Sequence, residues 1–180
     1  MPGQLVARIT GILYALNFAL GITGMVWTRQ GYVLAGDRMT IVGAVEYAIV
    51  VILLGRLFAT TNSLLSGTVA AVGLIGCAIG VAAGLHVFGT TSTALAIFGV
   101  YCLGLGALVI RSELMPRFIG GLLMLGGVAW LTYADLALAR SLQPYNMAAG
   151  IIAELVFTVW LIAFGIRQRS VQVLPKAARA

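Results

Sequence analysis

The sequence predicts an all-α, polytopic transmembrane helix bundle of about six spans, with both termini in the cytoplasm. Three observations predict this class. The 180 residues are 61% hydrophobic and only 9% charged, with a mean hydropathy of +1.06, whereas a soluble domain carries about 25% charged residues. The apolar residues form six runs, each close to the ~20 residues that cross a bilayer. The basic residues, which give a net charge of +6, lie mostly between and after those runs.

The six runs follow one another with short connections. They cover residues 8–27, 39–57, 64–87, 93–110, 116–136 and 146–166. We expect the first run to be a retained span, because its apolar part exceeds the ~7–15 residues of a signal peptide and no small-residue cleavage site follows it. Pro116 marks the start of the fifth run, since proline suits the first turn of a helix. Residues 1–166 are therefore predicted to form a single six-helix domain, and residues 167–180 a basic cytoplasmic tail.

The positions of the basic residues predict the orientation of the bundle. With six spans, the N-terminus, the second and fourth loops and the C-terminus share one side of the membrane. That side holds Arg8, Arg56, Arg111, Arg117, Arg167, Arg169, Lys176 and Arg179, and the other side holds Arg29, Arg38 and Arg140. Because cytoplasmic loops carry an excess of lysine and arginine, both termini are predicted to be cytoplasmic. The same residues form no basic stripe with interleaved aromatic residues, which argues against nucleic acid as a partner.

Glycine is frequent within the predicted spans, partly at four-residue spacing. The glycines concerned are Gly76, Gly80 and Gly84 on the third span, Gly104 and Gly106 on the fourth, and Gly120, Gly121, Gly126 and Gly127 on the fifth. Small residues at such spacing let helix backbones approach closely in lipid. We interpret them as packing positions within one bundle; the alternative is a docking face in a homo-oligomer or a larger membrane complex. Cys77 and Cys102 lie in apolar runs without metal-binding or redox spacing and are interpreted as core residues.

Three stretches of the chain resemble a known family. They are Arg8 to Tyr14 (RITGILY), Ser112 to Tyr133 with the Pro116-Arg117 pair and Gly120, and the closing Glu154-Leu155, Trp160-Leu161 and Gly165. In their order and spacing, the chain resembles the bacterial membrane proteins grouped as domain of unknown function 4386. The resemblance implies a six-span protein of the bacterial cytoplasmic (inner) membrane. The family has no established activity, so the resemblance adds nothing on chemistry or on cofactors.

Ionisable groups within the apolar runs are the candidates for a binding site, since each costs at least a few kcal/mol inside a bilayer. Glu46 and Glu154 lie roughly 9 and 12 Å from the outer ends of their runs, at 1.5 Å per residue. Four further polar residues are expected in the outer half of the bundle, namely Asn17, Tyr101, His86 and Asp135. The six together predict a polar pocket for a small-molecule ligand or ion. Alternatively, each carboxyl could be protonated or bonded to a neighbouring helix, Glu154 through Thr158, and Asp135 could lie at the wet interface.

Metal and catalytic chemistry have less support in the sequence. His86 is the only histidine, so a site with several histidines is excluded within one chain, and Glu46/Glu154/His86 is left as a minor metal-binding alternative. No GxSxG, HExxH or P-loop motif is present. On the cytoplasmic side, Arg111 and Arg117 could hold anionic lipid headgroups, although the predicted topology alone accounts for both.

Three functions follow from these observations. We favour a non-enzymatic membrane protein that binds or passes a small solute, an ion or a lipid-like molecule through the outer-half polar pocket. The small size and the glycine-rich faces also fit an accessory or assembly subunit of a larger membrane complex. An enzyme acting on lipid or isoprenoid is the weakest interpretation, because there is one histidine and no recognisable nucleophile. Membrane lipids are the expected partners in each case.

Overall fold

Seven α-helices and one 3₁₀ turn make up residues 2–167, the part of the chain that this computed structural model describes. The helices are α1 (Pro2–Arg29), α2 (Val33–Phe58), α3 (Ser63–Gly84), α4 (Thr91–Arg111), α5 (Arg117–Leu131), α6 (Leu136–Leu142) and α7 (Tyr145–Ala163), and the 3₁₀ turn Thr132–Ala134 follows α5. Residues 168–180, nearly all of the predicted basic tail, lie outside the described residues.

Six helical segments are long and apolar enough to cross a membrane: α1, α2, α3, α4, α5 together with its 3₁₀ turn (Arg117–Ala134), and α7. The predicted all-α bundle of six spans is therefore confirmed, and the chain is a multi-pass integral membrane protein. Three predicted boundaries were wrong by five or six residues. Helix α1 begins at Pro2 and not at Arg8, and α5 ends at Leu131 and not at Leu136. Helix α2 begins at Val33, six residues before the predicted start at Met39, because Asp37 and Arg38 lie within its first turns and not in a loop.

Helix α6 is an element that the hydrophobic pattern did not predict. Asp135 caps it, since its side chain accepts hydrogen bonds from the backbone N–H groups of Ala137 (2.8 Å) and Leu138 (3.3 Å). The side-chain amide of Asn146 donates to the carbonyl oxygen of Ala139 (3.1 Å) and to the hydroxyl of Thr132 (2.9 Å). This single amide joins α6 to the helices on either side of it.

The six long helices form a closed ring. Each packs against its neighbours in the order α1, α2, α3, α4, α5 and α7, and α7 packs against α1. Large aromatic side chains fill the centre of the ring, among them Tyr14, Tyr47, Tyr101 and Phe157, all of them buried. Tyr14 meets Tyr47 and Phe157 edge to face, with ring centroids 5.1 and 6.2 Å apart. The apolar side chains on the outside of the ring are left to face lipid.

Glycine pairs hold α4 and α5 at backbone contact. A β-carbon on Gly120 would lie 2.6 Å from the carbonyl oxygen of Gly106, and one on Gly127 would lie 2.8 Å from that of Gly99. Gly99 and Gly106 are seven residues apart on α4, and Gly120 and Gly127 are seven residues apart on α5. The two antiparallel helices therefore touch at two points that are about two turns apart. The prediction that glycines serve packing within the bundle is confirmed, except at Gly121, where a β-carbon would meet nothing within 4 Å.

Candidate functional site

Glu154 accepts hydrogen bonds from three helices in the centre of the ring. The Tyr14 hydroxyl of α1 donates to its Oε2 atom (2.6 Å), and the Trp130 indole N–H of α5 donates to Oε1 (2.5 Å). The Cys102 thiol of α4 donates more weakly to Oε1 (3.7 Å). The Tyr47 hydroxyl of α2 in turn donates to the Tyr14 hydroxyl (2.6 Å). These five residues, which we call the Glu154 network, join five of the six long helices.

Local sequence explains how the Glu154 network forms. Glu154 lies nine residues after the first residue of α7, about 14 Å along the helix and close to its midpoint. Gly150, one turn earlier, leaves the space in which the Trp130 indole rests, since a β-carbon there would collide with that ring. Through these donors, the Glu154 side chain fastens α7 to α1, α4 and α5.

The alternative that Glu154 is hydrogen-bonded to neighbouring helices is confirmed, but through Tyr14 and Trp130 and not through Thr158. The Thr158 hydroxyl is buried and has no hydrogen-bond partner within the described residues. Glu154 extends instead towards α1 and α5, where stronger donors meet it.

Glu46 has the opposite environment. Both of its carboxylate oxygens are covered, and neither has a hydrogen-bond partner among the described residues. It lies thirteen residues after Val33, about 20 Å along α2, which is deeper than predicted because α2 begins earlier. Asn17 of α1 lies beside it and donates to the carbonyl oxygen of Gly43 (2.9 Å). Val45, the preceding residue, is 56% exposed on the outside of α2. The Glu46 carboxyl lies in the seam between α1 and α2 beside Asn17, and it is close enough to Cys77 of α3 to interact with that thiol.

The other predicted site residues lie apart from these two carboxyls. Tyr101 is buried beside Tyr47, with ring centroids 6.2 Å apart, and its hydroxyl has no hydrogen-bond partner in the described part of the chain. His86 is exposed just beyond the end of α3, where its Nε2 atom lies 2.9 Å from Asp37 Oδ2. Asp135 is exposed and caps α6. Of the six predicted residues, Glu154 and Tyr101 thus lie in the centre of the ring, Glu46 and Asn17 between α1 and α2, and His86 and Asp135 at exposed positions. No single pocket holds them all.

Two further expectations concern metal ions and lipid headgroups. Within residues 2–167, no three His, Cys, Asp or Glu side chains are grouped as a metal site would require, so Glu46, Glu154 and His86 are not brought together. Arg111 ends α4 and Arg117 begins α5, and both are exposed at the same end of the bundle. Headgroup binding by these two arginines stays a prediction.

Sequence reasoning missed four residues of the Glu154 network: Tyr14, Tyr47, Cys102 and Trp130. A signal was present, because a tyrosine or tryptophan inside an apolar span carries a polar group that needs a partner. The hydropathy pattern does not give the rotation of each helix, and that rotation decides which of these groups face inward.

Comparison with known proteins supports the resemblance seen in the sequence. The model of the family named domain of unknown function 4386 matches residues 85–165, a little under half of the chain, and so confirms the likeness over that part. The matched segment runs from the end of α3 through α7; it contains Glu154, Trp130 and Cys102 but not Glu46. No curated protein and no solved structure gave a match.

Proposed function

We propose that this membrane protein, with its match to domain of unknown function 4386, binds a small monovalent cation at Glu46. We further propose that it does so in the bacterial cytoplasmic membrane, with both termini cytoplasmic. One observation supports the binding function above all others: both Glu46 oxygens are covered and accept no hydrogen bond from the described residues.

The Glu46 and Glu154 carboxyls differ in the hydrogen-bond donors around them. An ionised carboxylate removed from water is very costly unless it is paired or hydrogen-bonded. Glu154 receives three donors from the chain itself, whereas Glu46 has only the Asn17 amide beside it, without a well-formed hydrogen bond to either oxygen among the described residues. An ionised Glu46 therefore has no countercharge among the described residues, and we infer that a bound cation supplies it.

The surroundings of Glu46 favour a monovalent cation. One carboxylate balances one positive charge, and within residues 2–167 no three His, Cys, Asp or Glu side chains are grouped as a site for a multivalent metal ion would require. The neighbouring groups are the Asn17 amide and the Gly43 carbonyl, and such oxygen ligands suit hard cations.

Carbodiimide labelling tests this proposal, because the hydrophobic reagent dicyclohexylcarbodiimide reacts with protonated carboxyls in apolar surroundings. Protein in lipid vesicles is incubated with the reagent, and the adducts are located by mass spectrometry. We expect one adduct on Glu46 in the wild type, its loss in Glu46→Gln, and its retention in Glu113→Gln. The control makes the same change at an exposed residue of the α4–α5 turn.

Competition then distinguishes a cation from a proton. We expect sodium, potassium or methylammonium ions to slow labelling of Glu46 in a concentration-dependent way at constant pH. Labelling that none of these ions slows would overturn the proposal, since Glu46 would then hold only a proton.

The proposed orientation has its own test. Arg8, Arg56, Arg111, Arg117 and Arg167 lie towards one end of the described bundle, the end predicted to be cytoplasmic. A reporter active only in the cytoplasm, fused after the last residue of the chain, should be active. An active periplasmic reporter at that position would contradict the orientation.

A further inference from the structure

We propose that a cleft beside the α1–α2 turn binds the headgroup of an anionic phospholipid, with Arg38 as the partner of its phosphate. The turn lies at the end of the bundle opposite to the start of α1, so the lipid belongs to the leaflet on that side. This inference is independent of cation binding at Glu46. It rests on three features: the cleft itself, the unpaired charge of Arg38, and the depth of Arg38 in the membrane.

The cleft is open to the outside and has a volume of about 550 Å³. Trp27 of α1 and Tyr32 of the turn line it, together with residues from the first two turns of α2. Apart from Arg38, the lining side chains are apolar or aromatic. Ligand-binding pockets have the same character, since they are mostly apolar, contain a few placed polar groups and measure about 300–1,000 Å³.

Arg38 brings a positive charge to this cleft without a counter-charge. It forms no ion pair with any described residue, and the cleft is lined by no acidic one. The neighbouring carboxylate of Asp37 faces His86, whose Nε2 atom is 2.9 Å away. Arginine binds phosphate through two parallel hydrogen bonds, which makes a phosphate group the matching anion.

The depth of Arg38 places its guanidinium among lipid phosphates. Helix α2 has 26 residues and is about 39 Å long, roughly 9 Å longer than the hydrocarbon core. With α2 centred in the bilayer, Arg38, about 8 Å from the start of the helix, lies just inside the boundary of that core. A long arginine side chain extends from such a position to the headgroups. Trp27 and Tyr32 are of the residue types that are enriched at this level.

The lining of the cleft favours a lipid over a free anion. Leu34 is 76% exposed and Val33 48%, and both line the cleft. The glycerol and the first methylene groups of a phospholipid would cover these side chains, whereas inorganic phosphate would leave them exposed. A hydrophobic contact thus adds to the ionic one only when the phosphate belongs to a lipid.

The charges favour an anionic lipid over a zwitterionic one. Phosphatidylcholine carries an ammonium group close to its phosphate, and the cleft offers that group the repulsion of Arg38 and no acidic side chain. Phosphatidylglycerol has the phosphate charge alone. Discrimination therefore comes from an unfavourable contact with the wrong headgroup as well as from a favourable one with the right headgroup.

Photolabelling in vesicles tests the site, because it reports where a lipid is bound. The protein is placed in phosphatidylcholine vesicles with a trace of phosphatidylglycerol that carries a diazirine near its glycerol, and the adducts are located by mass spectrometry. We expect adducts within residues 27–39. Unlabelled phosphatidylglycerol should suppress them, and inorganic phosphate in the buffer should not. Suppression by inorganic phosphate would overturn the assignment to a lipid, and equal labelling by the matching phosphatidylcholine reagent would overturn the preference for an anionic headgroup.

Two variants separate the charge from the cleft. Arg38→Gln should reduce the adducts within residues 27–39 by about tenfold or more, since it removes a hydrogen bond to a charged group. Arg140→Gln is the matched control, because it makes the same change at an exposed arginine of α6, and it should label as the wild type does. Ala35→Trp keeps Arg38 and fills the cleft with a large ring, so it should also lower the yield. Wild-type labelling in either Arg38→Gln or Ala35→Trp would refute the proposal.

Discussion

The backbone contact between α4 and α5 makes a sharp prediction about two adjacent glycines. In Gly120→Ala, the new β-carbon would lie 2.6 Å from the carbonyl oxygen of Gly106 and 2.7 Å from the Cγ1 atom of Ile110. The Ile110 side chain can turn aside, but the carbonyl cannot move without separating the helices. In Gly121→Ala, the β-carbon meets nothing within 4 Å. The same chemical change is thus made at a closed and at an open position of one helix.

The expected magnitude follows from two opposing terms. Both alanines gain about 1 kcal/mol of helix propensity relative to glycine. Overpacking at Gly120 costs about 1–3 kcal/mol, and no such cost applies at Gly121. Since the propensity gain is common to both, Gly120→Ala should have a free energy of unfolding about 1–3 kcal/mol lower than Gly121→Ala.

The assay is reversible unfolding in mixed micelles of a mild detergent and sodium dodecyl sulfate, followed by circular dichroism. Gly106→Ala provides a reciprocal check, because its β-carbon would lie 2.6 Å from the Gly120 carbonyl oxygen. We expect it to destabilise the protein to a similar extent. Equal stabilities of Gly120→Ala and Gly121→Ala would refute the inferred backbone contact.

Two further predictions concern hydrogen bonds of Trp130 and Asp135. Trp130→Phe keeps an aromatic ring and removes a donor to Glu154, so it should lower the free energy of unfolding by about 1.5–3 kcal/mol. The indole of Trp160 donates no hydrogen bond in the described structure, so Trp160→Phe should change the free energy of unfolding little. Equal effects of the two variants in the same unfolding assay would argue against the Glu154 network. Asp135→Ala should raise amide hydrogen exchange in α6, since losing an N-cap costs about 0.5–2 kcal/mol. Asp135→Asn retains the cap and should exchange as the wild type does, and an unaffected α6 in Asp135→Ala would count against the capping role.

The spans were predictable because the bilayer constrains them strongly. Every backbone polar group in lipid must be bonded internally, so an apolar run of sufficient length becomes a helix. Boundaries near the surface were less predictable. Asp37 indicated a loop by its charge, yet it extends α2 and faces His86. The seven residues of α6 are too few to display a helical period.

The candidate site was predictable in its two carboxyls and in Asn17, but not in the other partners of Glu154. The sequence indicated that Glu46 and Glu154 lie in spans, and the free-energy cost of placing a carboxyl in a bilayer marked both as unusual. Their different environments depend on helix rotation and on partners distant in sequence: Tyr14 is 140 positions from Glu154. Among the predicted companions, Asn17 does lie beside Glu46, whereas His86 lies at the surface.

The closure of the ring between α1 and α7 sets an order of assembly during synthesis. As the helices insert one after another, each meets a ring neighbour at once, but α1 must wait for its second neighbour until the last helix is made. Until then, Tyr14, Cys102 and Trp130 face an open cleft that contains no acceptor for them. Glu154 thus arrives when its donors are already in place, and a charge that would be costly alone in the membrane is buried last, in the step that also completes the ring.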